Sequence, residues 1–343
     1  MPKYQRVTIK QVAQKAGVST QTVSRVINER PDVAPETRQR VKEVIEQLGY
    51  QPSALARSLI RQRSFTIGVV TAGLKFIGPS RTLNGITAQT EEIGYTLLLK
   101  EMPGFDTNDV QPLIDALLSR QVDGIIWAVP EVGDNRDWLH EKLPNLQVPM
   151  IFLTMETRPG ISIVSVDNYA GARLAMDHLL ELGYGHIGHI SGPLDWWEAR
   201  QRKKAWQDAL SEAGILHSED HTIEGTWSSA SGERSARQLL EQYPKMDAVF
   251  VANDQMALGA LQVSCREGIQ VPQELAVAGF DGISEAAYFS PPLTTVLQDQ
   301  HALGHTAVHE LVQIIEGHLQ DSSDVSSVEI LQPELIVRES TLR

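Results

Sequence analysis

The stretch Val7-Thr8-Ile9-Lys10-Gln11-Val12-Ala13-Gln14-Lys15-Ala16-Gly17-Val18-Ser19-Thr20-Gln21-Thr22-Val23-Ser24-Arg25-Val26-Ile27-Asn28 decides how the chain is read. Ile9, Val12, Ala13 and Ala16 recur at helical spacing and make one apolar face, and Gly17 supplies the permissive backbone that ends a first helix. Ser19 reads as an N-cap for a second helix, because its hydroxyl can accept an orphan backbone N–H. Val23, Val26 and Ile27 of that helix face inward. Thr20, Gln21, Thr22, Ser24, Arg25 and Asn28 face out, as amide, hydroxyl and guanidinium groups suited to base edges and phosphates. The pattern predicts a helix-turn-helix with Thr20–Asn28 as the recognition helix, and with Thr8 and Ser19 it supplies the candidate DNA contacts. A polar-faced helical hairpin packed on another domain is the competing reading. It does not account for the turn, the cap and the donor-rich face falling together at the N-terminus.

Charge agrees with this. Of 343 residues, 42% are hydrophobic, enough for two or three cores, and the net charge is −13. The charge is unevenly spread: residues 1–63 hold 12 Lys/Arg and 5 Asp/Glu, a net of +7, which leaves 18 basic and 38 acidic residues, a net of −20, in the remainder. A basic head on an acidic body confines nucleic-acid contact to the head. Cys265 is the single cysteine, so no intrachain disulfide forms. With neither an apolar leader nor an apolar run near the roughly 20 residues of a membrane helix, the expectation is a cytoplasmic protein with no membrane partner.

The order of residues at Thr8–Asn28 resembles the LacI family of bacterial transcription regulators, whose signature T-I-x-x-V-A-x-x-A-G-V-S-x-x-T-V-S-R-V-x-N stands there almost unaltered. A third helix follows, with Pro35 in its first turn, Val41, Val44, Ile45 and Leu48 as its stripe, and Gly49 as its stop. Residues 1–50 are thus the DNA-binding domain. Residues 51–63 are a linker too short to be a stable helix alone. The resemblance implies that this linker is a hinge helix entering the minor groove beside its dimer mate, with Ala56 and Leu59 at the DNA and Leu59 as the wedge that opens the central base step.

From Thr66 the rhythm changes. Short apolar runs at Thr66–Val70, Gly124–Val129, Met150–Leu153, His186–Ile190, Ala248–Ala252 and Leu275–Phe280 alternate with helical patterns at Leu83–Ile93, Val110–Arg120, Gly171–Leu182, Glu198–Ala213, Ser231–Gln242 and Gln255–Glu267. Strand–helix alternation of this kind predicts α/β architecture with parallel sheets. Residues 64–343 are expected to form two doubly wound lobes, similar to periplasmic sugar-binding proteins. An N-lobe takes 64–165 and 298–322; a C-lobe takes 166–297 and 323–343, ending in a strand at Glu329–Leu331.

Ligands of open α/β sheets bind beyond the carboxyl ends of the strands. Asn253 follows one apolar run, Asp281 follows another, and Arg200 opens the helix after a third. An amide, a carboxylate and a guanidinium together suit vicinal hydroxyls. Trp196 and Trp227 can cover the C–H face of a sugar ring, while Trp206 reads as core and Trp127 and Trp197 divide between core and pocket. The family resemblance adds Gln298 and supports Arg200, Trp227, Asn253 and Asp281. The chain departs from a sugar-responsive member at four places: Thr154 stands for an aspartate, Ala128 for an asparagine, Val166 for a phenylalanine and Trp196 for a serine. Thr154 and Trp196 complete the candidate ligand set, which suits a sugar or glycoside, a galactoside among the options.

Two further patterns stand in the sequence. His301, His305 and His309 recur every four residues on one helix, a spacing that can hold a metal, but without a His-Glu-x-x-His run or a cysteine partner they read as surface or interface residues. Asp281 with Glu198 or Asp167 raises paired-carboxylate glycoside hydrolysis, for which no nucleophile–base pair is visible. The expectation is a regulator that is not an enzyme, needs no cofactor or metal, and binds a pseudo-palindromic operator as a homodimer, with no leucine heptads to make a tetramer. A corepressor-dependent regulator taking a purine or phosphosugar, and a solute-binding protein for sugar transport, are the alternatives.

Overall fold

The computed structural model describes residues 7–28, 30–50, 63–105, 109–318 and 326–343. They form two compact units, 1–65 and 66–343. In the first, α1 (Ile9–Ala16), α2 (Thr20–Ile27) and α3 (Pro35–Leu48) close on a core of Val12, Ala13, Ala16, Val23, Val26, Val33, Val41 and Val44. Thr8 and Gln11 form a reciprocal capping box on α1, and Gly17 ends that helix with φ 66°, a left-handed conformation that glycine adopts without a steric cost. Ser19 caps α2 by accepting from the Thr22 N–H at 3.0 Å.

The second unit holds two six-stranded sheets. The strands in chain order are β1 (Thr66–Ala72), β2 (Thr96–Met102), β3 (Gly124–Ala128), β4 (Met150–Leu153), β5 (Ser162–Val166), β6 (Ile187–Ser191), β7 (Thr222–Glu224), β8 (Ala248–Val251), β9 (Ala276–Asp281), β10 (Thr294–Leu297), β11 (Val328–Leu331) and β12 (Glu334–Ile336). The helices are α4 (Ile77–Glu92), α5 (Gln111–Leu118), α6 (Leu139–Lys142), α7 (Asn168–Glu181), α8 (Trp197–Glu212), α9 (Ser229–Gln242), α10 (Asp254–Glu267) and α11 (Gln300–His318). The orders β11-β5-β4-β3-β1-β2 and β12-β10-β9-β8-β6-β7 are parallel throughout except for the antiparallel pair β10–β12. The interior strands β3, β4 and β8 are buried at every position, the expected state of parallel strands covered by helices on both faces.

The expected lobe assignment needs one correction. The segment 323–343 does not belong wholly to the second lobe: β11 pairs in parallel with β5, Val328 opposite Ile163 through Leu331 opposite Val166, and so forms the outer edge of the first sheet. Only β12 joins the second sheet, and the chain crosses between lobes at Gln332-Pro333. The strand itself lies where it was expected; its pairing partner, β5, is some 165 residues earlier and leaves no local signal in the sequence.

The helix expected at Leu83–Ile93 starts six residues earlier, at Ile77. Gly78-Pro79 stands in its first turn, where a proline removes only an N–H that has no intrahelical acceptor. This extension brings Phe76 to Pro79 to the cleft. Across the first lobe, α4 and α11 approach so closely that a Cβ on Gly85 would lie 2.1 Å from the His301 carbonyl oxygen, and one on Gly304 2.1 Å from that of Thr82. His301, His305 and His309 lie exposed along α11, and among the described residues no three His, Cys, Asp or Glu are grouped to hold a metal ion. No described helix is long and apolar enough to cross a membrane.

Candidate functional site

On the headpiece, Thr20, Gln21 and Arg25 are exposed along α2, and Thr22, Ser24 and Asn28 are half-buried. Several of the polar groups read as base contacts are engaged within the helix. The Asn28 amide donates to the Ser24 carbonyl at 2.8 Å, and the Ser19 and Thr22 hydroxyls are 2.9 Å apart. Arg25 lies 3.3 Å from Asp32, with both side chains about half exposed, an ion pair that phosphate can displace at little cost. Thr20 and Gln21 project from the first turn, the part of a recognition helix that reaches base edges. Thr8 serves α1 as its cap. Ala56 and Leu59 lie outside the described residues.

The second unit encloses a cavity of about 90 Å³ between its sheets. A single water needs only about 10–15 Å³, so the space suits an organic molecule. Of the expected ligand residues, Trp227, Asn253, Asp281, Gln298, Trp196 and Thr154 all line it. Arg200 does not. It is exposed, and its guanidinium donates to the backbone carbonyls of Leu194 at 3.2 Å and Asp195 at 2.8 Å. The cavity guanidinium belongs to Arg202. Two positions turn a helix by about 200°, which carries the side chain to the opposite face.

Arg202 is held from four sides. Nε donates to Asn168 Oδ1 at 2.9 Å, Nη1 donates to the Ala252 carbonyl at 2.5 Å and reaches Asp281 Oδ1 at 3.5 Å, and the group stacks 3.8 Å from the centre of the Phe280 ring. Asn168 is the first residue of α7, placed at the cleft by the Asp167 cap, which accepts from the Ala170 N–H. Asp281 ends β9, and its Oδ1 also accepts from Gln298 Nε2 at 2.6 Å. Burial raises the Asp281 carboxyl above the usual range, opposed by Arg202 and the Gln298 hydrogen bond; burial likewise lowers the Arg202 guanidinium, opposed by Asp281. Asn253 caps α10 through Met256 and donates to the Trp227 carbonyl at 3.0 Å, fixing the turn that presents the indole.

Among the described residues five non-glycine positions have positive φ, and three of these are at the cavity: Thr154 at 55°, Trp227 at 65° and Asp281 at 112°. Backbone held in such conformations gathers where side chains must be aimed. The far wall is aromatic. Trp196 lies edge-on to Trp227 with centroids 5.7 Å apart, 4.7 Å from Phe105 and 6.1 Å from Phe76. Trp127 is core, packed on Trp138 and Phe152, and Trp206 is core beside His189; Trp197 is half-buried and outside the lining.

Residues not expected to hold a ligand also line the cavity: Arg202, Asn168, Phe76, Gln300 and Glu198. Glu198, a candidate carboxylate only in the hydrolase reading, lies buried at the cavity, and burial pushes its pKa up to about 7. Arg202 was legible in principle: with Glu198 it is one of two charged residues on the face of α8 that buries Ala199, Ala205, Trp206, Ala209 and Leu210. The rim is closed by backbone contacts across the cleft. Trp197 N–H donates to the Glu131 carbonyl at 3.0 Å, Gly133 N–H donates to that of Asp195 at 2.9 Å, and Val132 bridges Trp196.

Residues 8–53 match the family described as bacterial regulatory proteins, lacI family, and residues 176–341 match the periplasmic binding protein-like domain. The chain is 32% identical to the lactose operon repressor of Escherichia coli (strain K12) over 98% of its own length and 91% of that protein. It is 33% identical to the HTH-type transcriptional repressor PurR of Aliivibrio salmonicida over 97% of its length and 98% of that protein. A structure of the Lac repressor dimer bound to operator and the anti-inducer ONPF aligns with TM-score 0.88 at 32% identity, covering 99% of this chain and 100% of that one. The transcriptional regulator CelR in complex with cellobiose aligns with TM-score 0.71 at 31% identity, covering 98% and 100%. A helix-turn-helix head, a two-sheet body with a ligand-sized cleft and end-to-end likeness above 30% identity agree: the chain belongs to the LacI family of bacterial transcription regulators.

Proposed function

We propose that this regulator is a cytoplasmic repressor that binds a pseudo-palindromic operator as a homodimer and releases it when a sugar or glycoside enters the cavity. One observation carries the reading. Asp281, Arg202, Asn253 and Gln298 set a carboxylate, a guanidinium and two amides around one space walled by Trp227, and that combination holds ring hydroxyls while an indole covers the C–H face. The operator and anti-inducer in the Lac repressor structure and the cellobiose in the CelR structure support the same reading. A matched headpiece sets aside the solute-binding protein, and membership of a family of transcription regulators sets aside the hydrolase.

The headpiece acts through Thr20 and Gln21 at base edges and Arg25 at a phosphate, while Thr8, Ser19, Thr22, Ser24 and Asn28 hold the helices or reach the backbone of the operator. Sugar acts by binding more tightly to the lobe arrangement that does not hold two hinge segments together. Gel-shift titration of the full chain on its operator, with and without saccharides, tests this. Release by a saccharide is the expected result. Tighter operator binding would make the ligand a corepressor, and release by a purine or a phosphosugar but by no neutral saccharide would refute the sugar reading.

A further inference from the structure

We infer that the cavity takes a disaccharide, with its second ring against Trp196 and Phe76 and a hydroxyl of that ring donated to Glu198. The inference rests on the sugar reading and specifies which sugars satisfy it. The polar set is concentrated around Arg202 and Asp281, but the aromatic wall extends well past it. From the Arg202 guanidinium to the Trp227 ring is 5.6 Å, from Trp227 to Trp196 5.7 Å, and from Trp196 to Phe76 6.1 Å. Each step is about the spacing of one ring packed on another, in the range of about 4.5–7 Å. A monosaccharide held by Asp281 against Trp227 uses one of these rings, and the inference assigns Trp196 and Phe76, which line the same cavity, to a second ring.

Glu198 distinguishes a second sugar from an apolar aglycone. It is the second residue of α8, only 7% exposed, and lines the same cavity. Its Oε2 is buried and has no hydrogen-bond partner among the described residues. A buried polar atom without a partner is costly, and this one belongs to a residue that lines the cavity two positions after Trp196. An aryl aglycone would match the indole and phenyl rings but leave Oε2 unsatisfied. A pyranose supplies both an apolar C–H face and an O–H donor. Burial holds the Glu198 pKa near 7, and in either protonation state the carboxyl can accept from a hydroxyl.

Isothermal titration of the full chain with cellobiose, lactose and maltose, and with glucose, galactose and phenyl β-glucoside, tests the inference. One disaccharide should bind at least about tenfold more tightly than either of its component monosaccharides, the equivalent of one well-made hydrogen bond or a stacked ring. Glu198→Met, which keeps the volume and removes the acceptor, should remove most of that preference. Glu198→Gln, which keeps an acceptor oxygen, should restore part of it, a pattern that a merely structural role would not produce. Trp196→Ser should bring the disaccharide close to the monosaccharide, and the exposed Arg200→Ala should leave the ratio unchanged. Melting curves establish that each variant is folded, and the two Glu198 variants decide the matter if Trp196→Ser does not fold. A monosaccharide that binds as tightly as every disaccharide and still releases operator would overturn the inference while the sugar reading stands. Phenyl glucoside equal to the best disaccharide would overturn the second ring. Absence of binding by every saccharide would remove the sugar reading as well.

Discussion

Replacing Arg202 by alanine should damage the body of the protein far more than replacing Arg200, although the two arginines are two residues apart on the same helix. Arg202 loses its bonds to Asn168 and the Ala252 carbonyl, its stack on Phe280 and its contact with Asp281. Asp281, with only 18% of its side chain exposed, keeps Gln298 as its partner but loses the positive charge. Removing one member of a buried pair costs roughly 3–5 kcal/mol, and at about 2–4 °C per kcal/mol for a large domain the melting temperature should fall by on the order of 10 °C. The loss should depend on pH, with a definite sign. The Asp281 pKa is already raised in the folded state, and Arg202 is the main charge opposing the rise. Without it the folded pKa climbs further above the unfolded value. A carboxyl of that kind favours folding at low pH and withdraws its contribution as pH rises through the folded pKa, so the deficit against wild type should be larger at pH 8 than at pH 5. Arg200→Ala should stay within about 0.5 kcal/mol of wild type at both. Calorimetric melting of the three proteins at the two pH values is the assay. Equal losses for the two arginines, or an Arg202 deficit that ignores pH, would refute the arrangement at the cavity.

Three further outcomes follow from the same geometry. Glu198→Gln should raise the melting temperature of the ligand-free protein at pH 8 and add little at pH 4.5: the folded pKa is raised from 4.5 to about 7, a shift worth on the order of 3 kcal/mol, and that stability is present at low pH and withdrawn as pH rises to about 7; a gain that did not grow with pH would show the carboxyl to be paired. Arg25→Ala should weaken operator binding and reduce the slope of log K against log salt by about 0.9, the value for one phosphate contact; an unaltered slope together with relaxed preference at one base pair would make Arg25 a base reader instead. Gly304→Ala would drive a methyl to 2.1 Å from the Thr82 carbonyl oxygen and should cost about 1–3 kcal/mol or more as α4 and α11 are forced apart; unchanged thermal unfolding would mean that the two helices slide freely.

The headpiece was almost wholly legible because its signals are local: a cap, a left-handed glycine and a period of three to four residues each report on neighbours in sequence. The apolar inner strands were legible for the same reason. What escaped was non-local. β11 was expected as a strand, but its place beside β5 is fixed by a pairing some 165 residues away, which no window on the sequence contains. Order along the chain and the family pattern point to Arg200 and pass over Arg202; the rotation of the helix, marked by the buried stripe Ala199, Ala205, Trp206 and Ala209, turns Arg202 inward. Phe76 escaped because the helical pattern was followed only from Leu83, whereas the helix begins at Ile77 with Phe76 at its N-cap. Trp196, Trp227, Asn253, Asp281, Gln298 and Thr154 line one cavity.

The closing strands bear on how the protein is made. Without β11 the first sheet ends at a bare β5, and without β12 the second ends at a bare β10. The tail beyond them is knit into the second lobe: Ser340 donates to the Val277 carbonyl and accepts from the Thr294 N–H, and the Thr341 hydroxyl meets that of Thr294 at 2.8 Å. These residues are synthesised after every other strand. A nascent chain on the ribosome therefore presents two unfinished sheets with open edges, the state most prone to pairing with another chain, until β11 closes the first and β12 with the tail closes the second. The headpiece has no such dependence, since all its core residues lie before Tyr50, and it can be folded while the body behind it is still being made.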